Sequence, residues 1–290
     1  MIAKPHLNLR VAKKEDYQSL ANLVHFETHV HRHLDYRPPL DWLGQRPFSI
    51  LEERNNVHAA LACPPDPPHV AWIQLFAAAF GIPYTQAWNT LWPEALAQLE
   101  VDTQVRWAAA IPLYNWFEEL LRRSHFIPTH NIVMLSWQSG QVMTPAFLSD
   151  SVLIRPMTPE DLPAVRIVDN ASFVPVWQNS QDCLAYAFHQ AAVATLIEQD
   201  SQVIAYQIST PTTVGGHLAR LAVLPTWQGH GLGYALVYDL LKQFERRGAR
   251  LITVNTQEDN LSSLSIYRKA GFEPTGEKYA VYQYEVHHKK

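Results

Sequence analysis

Along the second half of the chain, apolar positions change period in a way that spells strand, turn, helix, strand, helix. His217-Leu218-Ala219-Arg220-Leu221-Ala222-Val223-Leu224 is a β-rich run closed by Pro225, which cannot continue a sheet ladder. Leu236, Leu240, Leu241 and Phe244 then recur at helical spacing, and Arg246-Arg247-Gly248 supplies a basic last turn and a terminating glycine. Leu251 to Thr256 returns to β character, and a further helix is predicted over Asn260–Ala270.

Between the first strand and its helix lies Trp227-Gln228-Gly229-His230-Gly231-Leu232-Gly233. A glycine turn feeding a helix N-terminus aims backbone N–H groups and the positive end of the helix dipole at an anion. The residues also say which glycine loop this is not. A P-loop needs Lys-Ser/Thr after its last glycine, where Tyr234-Ala235 stands. A dinucleotide fingerprint needs G-x-G-x-x-G and an acidic residue after the next strand, whereas the spacing here is G-x-G-x-G and Val254-Asn255-Thr256 follows.

Gln228, Gly231 and Gly233, placed after Ala222-Val223-x-Pro225, resemble the acyl-CoA loop Gln/Arg-x-x-Gly-x-Gly/Ala of the GNAT acyltransferase superfamily. Downstream, Asn260-x-x-Ser263-x-x-Ile266-Tyr267-x-x-x-Gly271-Phe272 resembles its second signature in register. Two motifs in the right order, separated by one helix and one strand, make the resemblance specific.

The resemblance implies that the strand bearing Leu221, Ala222 and Val223 splays from its neighbour and pairs with the pantetheine arm of acetyl-CoA. It implies that Gln228, Gly229, His230, Gly231, Leu232, Gly233 and Tyr234 hold the pyrophosphate, with Asn260 and Tyr267 near the thioester. The N–H of Val223 would polarise the carbonyl, and Tyr267 would be the general acid for the leaving thiolate. Read from the residues alone, Tyr267 also fits a core aromatic and Asn260 a helix N-cap. No glutamate stands on the two splayed strands, which offer Arg220, Thr253 and Asn255. His217, Glu258 and His230 are the nearest titratable candidates for a base.

The first half repeats the frame of the second. Leu9-Arg10 through Glu15-Asp16 parallels Ile154-Arg155 through Glu160-Asp161 at an offset of 145, and Arg122 to Thr129 parallels Arg268 to Thr275 at 146. The expected fold is therefore α/β with two tandem GNAT-like domains, each a mixed, mainly antiparallel sheet flanked by helices. The layout resembles that of mycothiol synthase and its relatives. The domains are 1–148, a degenerate copy, and 149–290, the N-acetyltransferase copy, joined by a linker at Ser136–Pro145 with a boundary near Ser149. In the first copy the fourth strand is expected at Val70–Phe76. The segment after it has one glycine, Leu121 stands in place of Tyr267, and His125 in place of Gly271. That copy is expected to bind no acyl-CoA, and to complete the acceptor cleft or stabilise its partner.

His25, His29, His31 and His33 suggest a metal only weakly, since no carboxylate falls in step with them and no H-E-x-x-H forms; they read as a polar helix and loop, and no metal is expected. Phe173, Trp177 and Tyr186 fit either an acceptor pocket or core. Cys63 and Cys183 form no framework, which suits a reduced, cytoplasmic setting. There is no signal peptide pattern after Lys4 and no apolar run long enough for a bilayer. A net charge of −4 with no basic stripe argues against nucleic acid. The expected function is transfer of an acetyl group from acetyl-CoA to a primary amine, on a small molecule or a peptide, by direct attack in a ternary complex. A non-catalytic acyl-CoA-binding module and a protein N-terminal or lysine acetyltransferase are the alternatives.

Overall fold

The computed structural model describes residues 7–138 and 153–288. They divide into two compact units: residues 1–129 with 280–290, and residues 130–279. The expected boundary near Ser149 and most of the expected linker lie outside the described residues. Ser136, Trp137 and Gln138, read as the start of that linker, are instead strand residues, with Trp137 buried in the core of the second unit.

The first unit runs β1 (Asn8–Val11), α1 (Tyr17–Phe26), β2 (His29–Arg32), β3 (Phe48–Glu53), β4 (Asn56–Ala62), β5 (Val70–Trp72), β6 (Leu75–Ala78), α2 (Tyr84–Val101), β7 (Trp107–Ala110) and α3 (Asn115–Arg123), then enters β8 (Ile127–Gln138). The second takes β8 from residue 130 and continues with β9 (Leu153–Pro156), α4 (Leu162–Ser172), α5 (Gln181–His189), β10 (Val193–Gln199), β11 (Gln202–Thr212), β12 (Gly215–Val223), α6 (Leu232–Arg246), β13 (Leu251–Gln257), α7 (Leu261–Lys269) and β14 (Glu273–Glu285). The last residues of β14 return to the first unit, where Tyr282 to Glu285 pair antiparallel with β7. Conversely, Ile132 to Gln138 of β8 pair antiparallel with β13 in the second unit.

The repeat is visible atom by atom. Arg10 grips Asp16 through both guanidinium nitrogens and reaches Glu52, as Arg155 grips Asp161 and reaches Glu198. The hairpin β3–β4 turns through Arg54-Asn55 at positive φ, and β10–β11 through Asp200-Ser201. Helix α3 ends on His125 at φ 64°, helix α7 on Gly271 at φ 91°. In both, the next aromatic N–H closes the helix: Phe126 N–H to Leu121 O at 3.0 Å, Phe272 N–H to Tyr267 O at 2.9 Å.

In the second unit the sheet order is β8-β13-β12-β11-β10-β9, with β12 and β13 parallel and the other pairings antiparallel. Helix α6 buries the predicted stripe, Leu236, Leu240, Leu241 and Phe244, against the sheet and ends at Gly248 with φ 79°. Helix α4 packs against β11 and β12, burying Leu162, Val165 and Val168. Among the described residues, no helix is long and apolar enough to cross a membrane.

Candidate active site

The site begins as a fault in β12. Strand β11 accompanies β12 along its whole length, from Thr212↔Gly215 to Ala205↔Val223. Strand β13 pairs with it only from Gly215↔Leu251 to Leu218↔Val254. At the point of parting, Ile208 faces Arg220 and Ser209 faces Leu218, so Ala219 is an extra residue on β12. Such a bulge bends and twists the strand that carries it, and β12 leaves β13 there. Beyond it, Leu224 N–H donates to Ile204 O at 2.9 Å. Alternation then turns the main-chain groups of Ala222 toward β11 and those of Leu221 and Val223 to the opposite edge. Val223 O on that edge already accepts from Ser172 Oγ at 3.0 Å and Gln228 Nε2 at 3.1 Å.

The glycine loop follows. Gly229 and Gly231 sit at φ 81° and 82°, and a Cβ on either would meet nothing within 4 Å. Backbone conformation, not crowding, therefore requires glycine at both positions. Gly233 differs: its Cβ would come within 2.9 Å of Ile266 Cδ1, so it allows α6 to lie close on α7. Gly231 is the N-cap of α6, and the first intrahelical bond runs from Ala235 N–H to Gly231 O at 3.0 Å. The amides of Leu232 and Gly233 precede that bond, at the positive end of the helix. Not every side chain in the loop faces outward. Gln228 is spent on Val223 O, His230 Nδ1 lies 3.0 Å from Gln228 O, and Tyr234 is buried in the core beneath the Lys269 ammonium.

Helix α7 opens with Asn260, whose side chain accepts from Ser263 N–H at 3.1 Å, so it is the N-cap. Tyr267 is buried, packs on Phe272, and has its hydroxyl against Ser263. Burial pushes its phenol well above the ordinary tyrosine range, with Ser263 and the charge of Arg220 opposing, so it stays protonated.

On the other face of β12, toward α4, lies a polar cluster that the sequence pattern did not reveal. Asp169 is fully buried and accepts from Tyr206 Oη at 2.5 Å, Arg220 Nε at 2.7 Å and Asn179 N–H at 2.9 Å. Arg220 also donates to Trp177 O at 2.5 Å and stands 3.7 Å above the Phe173 ring. The signal was a carboxylate on the Val165–Val168 side of an amphipathic helix, where an apolar residue is expected. Phe173 and Trp177 thus serve this cluster, and Trp177 also meets His130 edge-on at 6.0 Å. Of the titratable candidates, Glu258 is committed to Lys278 at 2.7 Å and to Asn131, which hold its carboxyl below its ordinary value. His230 belongs to the exposed loop. His217 is half-buried with Nδ1 2.8 Å from Thr253 Oγ1, and burial lowers its pKa from the ordinary histidine value.

The first unit handles the equivalent edge differently. The strand expected over Val70–Phe76 is broken: β5 pairs parallel with β7, Ile73 N–H reaches Ala109 O, and Gln74 N–H turns to Ala62 O before β6 begins. The edge of β6 that corresponds to Leu221–Val223 is occupied by β2, from His29↔Ala78 to Arg32↔Leu75. The histidines expected in a polar helix and loop are therefore partly in a strand. Their rings stack on aromatics, His29 on Tyr84, His31 on Phe117 and His33 on Trp72, at 4.4, 3.9 and 4.6 Å. β-Branched character is sparse in this stretch, so local propensity did not announce the strand; pairing with β6 and aromatic stacking make it one.

Comparison with known proteins bears on the fold and on the family of the second unit. Residues 162–272 match the model of the acetyltransferase (GNAT) family. Over 61 residues the chain is 34% identical to N-alpha-acetyltransferase 30 of Schizosaccharomyces pombe, a match covering 21% of this chain and 41% of that protein. Over 112 residues it is 25% identical to the ribosomal protein bS18-alanine N-acetyltransferase of Escherichia coli K12, covering 39% of this chain and 74% of the relative. A tandem GNAT protein from the clavulanic acid biosynthesis pathway superposes with a TM-score of 0.65 at 15% identity, over 98% of this chain and all of that one. A GCN5-related N-acetyltransferase from Sphaerobacter thermophilus gives 0.62 at 14% identity, over 97% and 96%. The chain thus has a tandem GNAT fold and carries a GNAT acetyltransferase domain in its second unit.

Proposed function

We propose that the second unit transfers an acetyl group from acetyl-CoA to a primary amine by direct attack within a ternary complex. The observation that carries the reading is the edge of β12 at Leu221–Val223, where β13 no longer pairs with it and which leads directly into the glycine-capped start of α6. A pantetheine arm carries amides that match such an edge by β-augmentation, and its pyrophosphate matches the first-turn amides of α6. The residues fit the co-substrate: the loop carries no side chain that a phosphate must displace at Gly229 or Gly231, and Gln228 to Gly231 are exposed, whereas Leu232, Gly233 and Tyr234 are buried.

In this reading the outward-facing N–H groups of Leu221 and Val223 engage the arm and the thioester carbonyl at its end. Tyr267, held protonated by burial, gives its proton to the departing sulfur. Gln228 supports the donor indirectly, by fixing the end of β12, and Asn260 by capping α7. One relative named above is an N-acetyltransferase of a ribosomal-protein alanine and another an N-alpha-acetyltransferase, which favours a peptide N-terminus as a second acceptor class beside a small amine.

Calorimetric titration of acetyl-CoA into the purified protein tests the reading. One site per chain is expected, lost in Gly231→Asp, with thiol release on addition of an amine acceptor. No binding would overturn it; binding without turnover on any amine would leave an acyl-CoA sensor.

A further inference from the structure

We propose that His217 is the general base that deprotonates the acceptor amine; this rests on the transferase reading above and deepens it. With the pyrophosphate at the start of α6 and the arm on the edge of Val223 and Leu221, the acyl end of the donor points back along β12 toward the fork with β13. His217 and its partner Thr253 form one of the last paired rungs before that fork. Leu218, Ile252 and Val254 all enter the core under α6 and α7. Alternation along the strands therefore sends His217 and Thr253 to the other face, toward α4 and away from the side the donor enters. An amine approaching from the α4 face meets this imidazole at the mouth of the fork.

The chemistry of the neighbourhood suits the role. Thr253 Oγ1 engages Nδ1 at 2.8 Å; in the tautomer with Nδ1–H donating to that hydroxyl, the Nε2 lone pair is available. Among the ionisable groups on this face, Asp169 of α4, Tyr206 of β11 and Arg220 of β12 are tied to one another, and His130 of β8 meets Trp177 edge-on. Glu258, at the far end of β13, is tied to Lys278. Burial keeps the ring neutral near pH 7. An acceptor arriving as an ammonium ion gives one proton to Nε2, and its lone pair then forms the N–C bond as the C–S bond breaks. The thiolate takes the Tyr267 proton, and the proton the nitrogen still has to lose restores the phenol through solvent. The products are an amide, free thiol and a protonated His217, which returns its proton to water.

The test compares wild type with His217→Gln, using acetyl-CoA alone by calorimetry, then thiol release with trialanine and with hydroxylamine. Trialanine must lose a proton to react near pH 7; hydroxylamine is already neutral. The expected result is acetyl-CoA affinity unchanged within twofold and trialanine turnover reduced at least about 100-fold. Hydroxylamine turnover falls far less. The acid limb of the wild-type trialanine profile should lie below the ordinary histidine value and vanish in the variant. Equal loss on both acceptors at every pH would overturn the base assignment in favour of a packing role, as would undiminished turnover. Failure of wild type to bind acetyl-CoA, or binding without thiol release to any acceptor, water included, would instead overturn the transferase reading.

Discussion

Asp169 and Arg220 are locked together at 2.7 Å across α4 and β12, the carboxylate fully buried and the guanidinium nearly so. Strand β12 is the element whose far edge is the candidate donor site, so this pair anchors it from behind. Tyr206 completes the arrangement, and burial together with the Asp169 charge raises its phenol well above the usual value. Removing one partner leaves the other charge buried without compensation. Asp169→Asn should lower stability by roughly 3 kcal/mol, read as a shift of the urea midpoint at constant slope. A shift below about 1 kcal/mol would mean that the pair contributes no more than an exposed one.

Tyr267→Phe removes a hydroxyl without opening a cavity. Acetyl-CoA affinity should stay within twofold, since the ring and its contact with Phe272 remain. Turnover should fall by about 10² to 10³ under single-turnover conditions if the phenol protonates the sulfur. Unchanged turnover would assign the ring to packing alone.

Gly231→Ala leaves ample space but places a side chain at φ 82°. The change should destabilise the protein by about 1 kcal/mol and weaken acetyl-CoA binding through a displaced first turn of α6. Gly233→Ala should act by the other route, forcing Ile266 aside while leaving the loop conformation intact. Comparing chemical denaturation with binding in the two variants separates conformation from contact.

His31 is wholly buried in the first unit, and burial lowers its pKa from 6.5 to about 3. His33 is lowered in the same direction by the same cause. A folded-state value below the unfolded one means stability that is complete above pH 6.5 and is lost as pH falls toward 3. The slope is about 1.4 kcal/mol per pH unit for each such group. Denaturation midpoints at pH 7.5 and 5 should therefore drop more in wild type than in His31→Phe. Equal drops would place the acid sensitivity elsewhere. The Arg155-held Asp161, lowered to about 2, keeps its contribution above its ordinary 3.8 and loses it only below, outside this window.

Where function was legible in the sequence, local chemistry was unambiguous. Gly229 and Gly231 mark left-handed backbone, Pro225 ends β12, and Asn260 caps α7, each by a rule that acts within a few residues. The repeat was legible because Arg10 and Arg155, with their aspartates, recur at a fixed offset. What escaped were features made by distant partners. The strand character of His29–Arg32 depends on β6, some 45 residues on. The bulge at Ala219 exists only relative to Ile208 and Ser209. The role of Arg220 could not be read without Asp169, and Ser136–Gln138 looked like linker because its pairing with β13 lies more than a hundred residues downstream.

The β2 strand also bears on stoichiometry. A second acetyl-CoA would need the edge that His29–Arg32 already holds through backbone pairing with β6. Saturation should stop at one per chain even at millimolar ligand, as measured by calorimetry; two equivalent sites would show that β2 yields its place.

The exchange of strand ends has a consequence for how this protein is made. The first unit is the first to be synthesised, yet β7, in its core, waits for Tyr282–Glu285, and Tyr282 is itself buried there among α2 and α3. That edge of β7 stays unpaired until residues 282–285 have been made. The first unit therefore completes its β7 pairing only after the residues of the second have been made, and the copy that lacks the glycine loop cannot be shed without removing the partner of the last residues of β14.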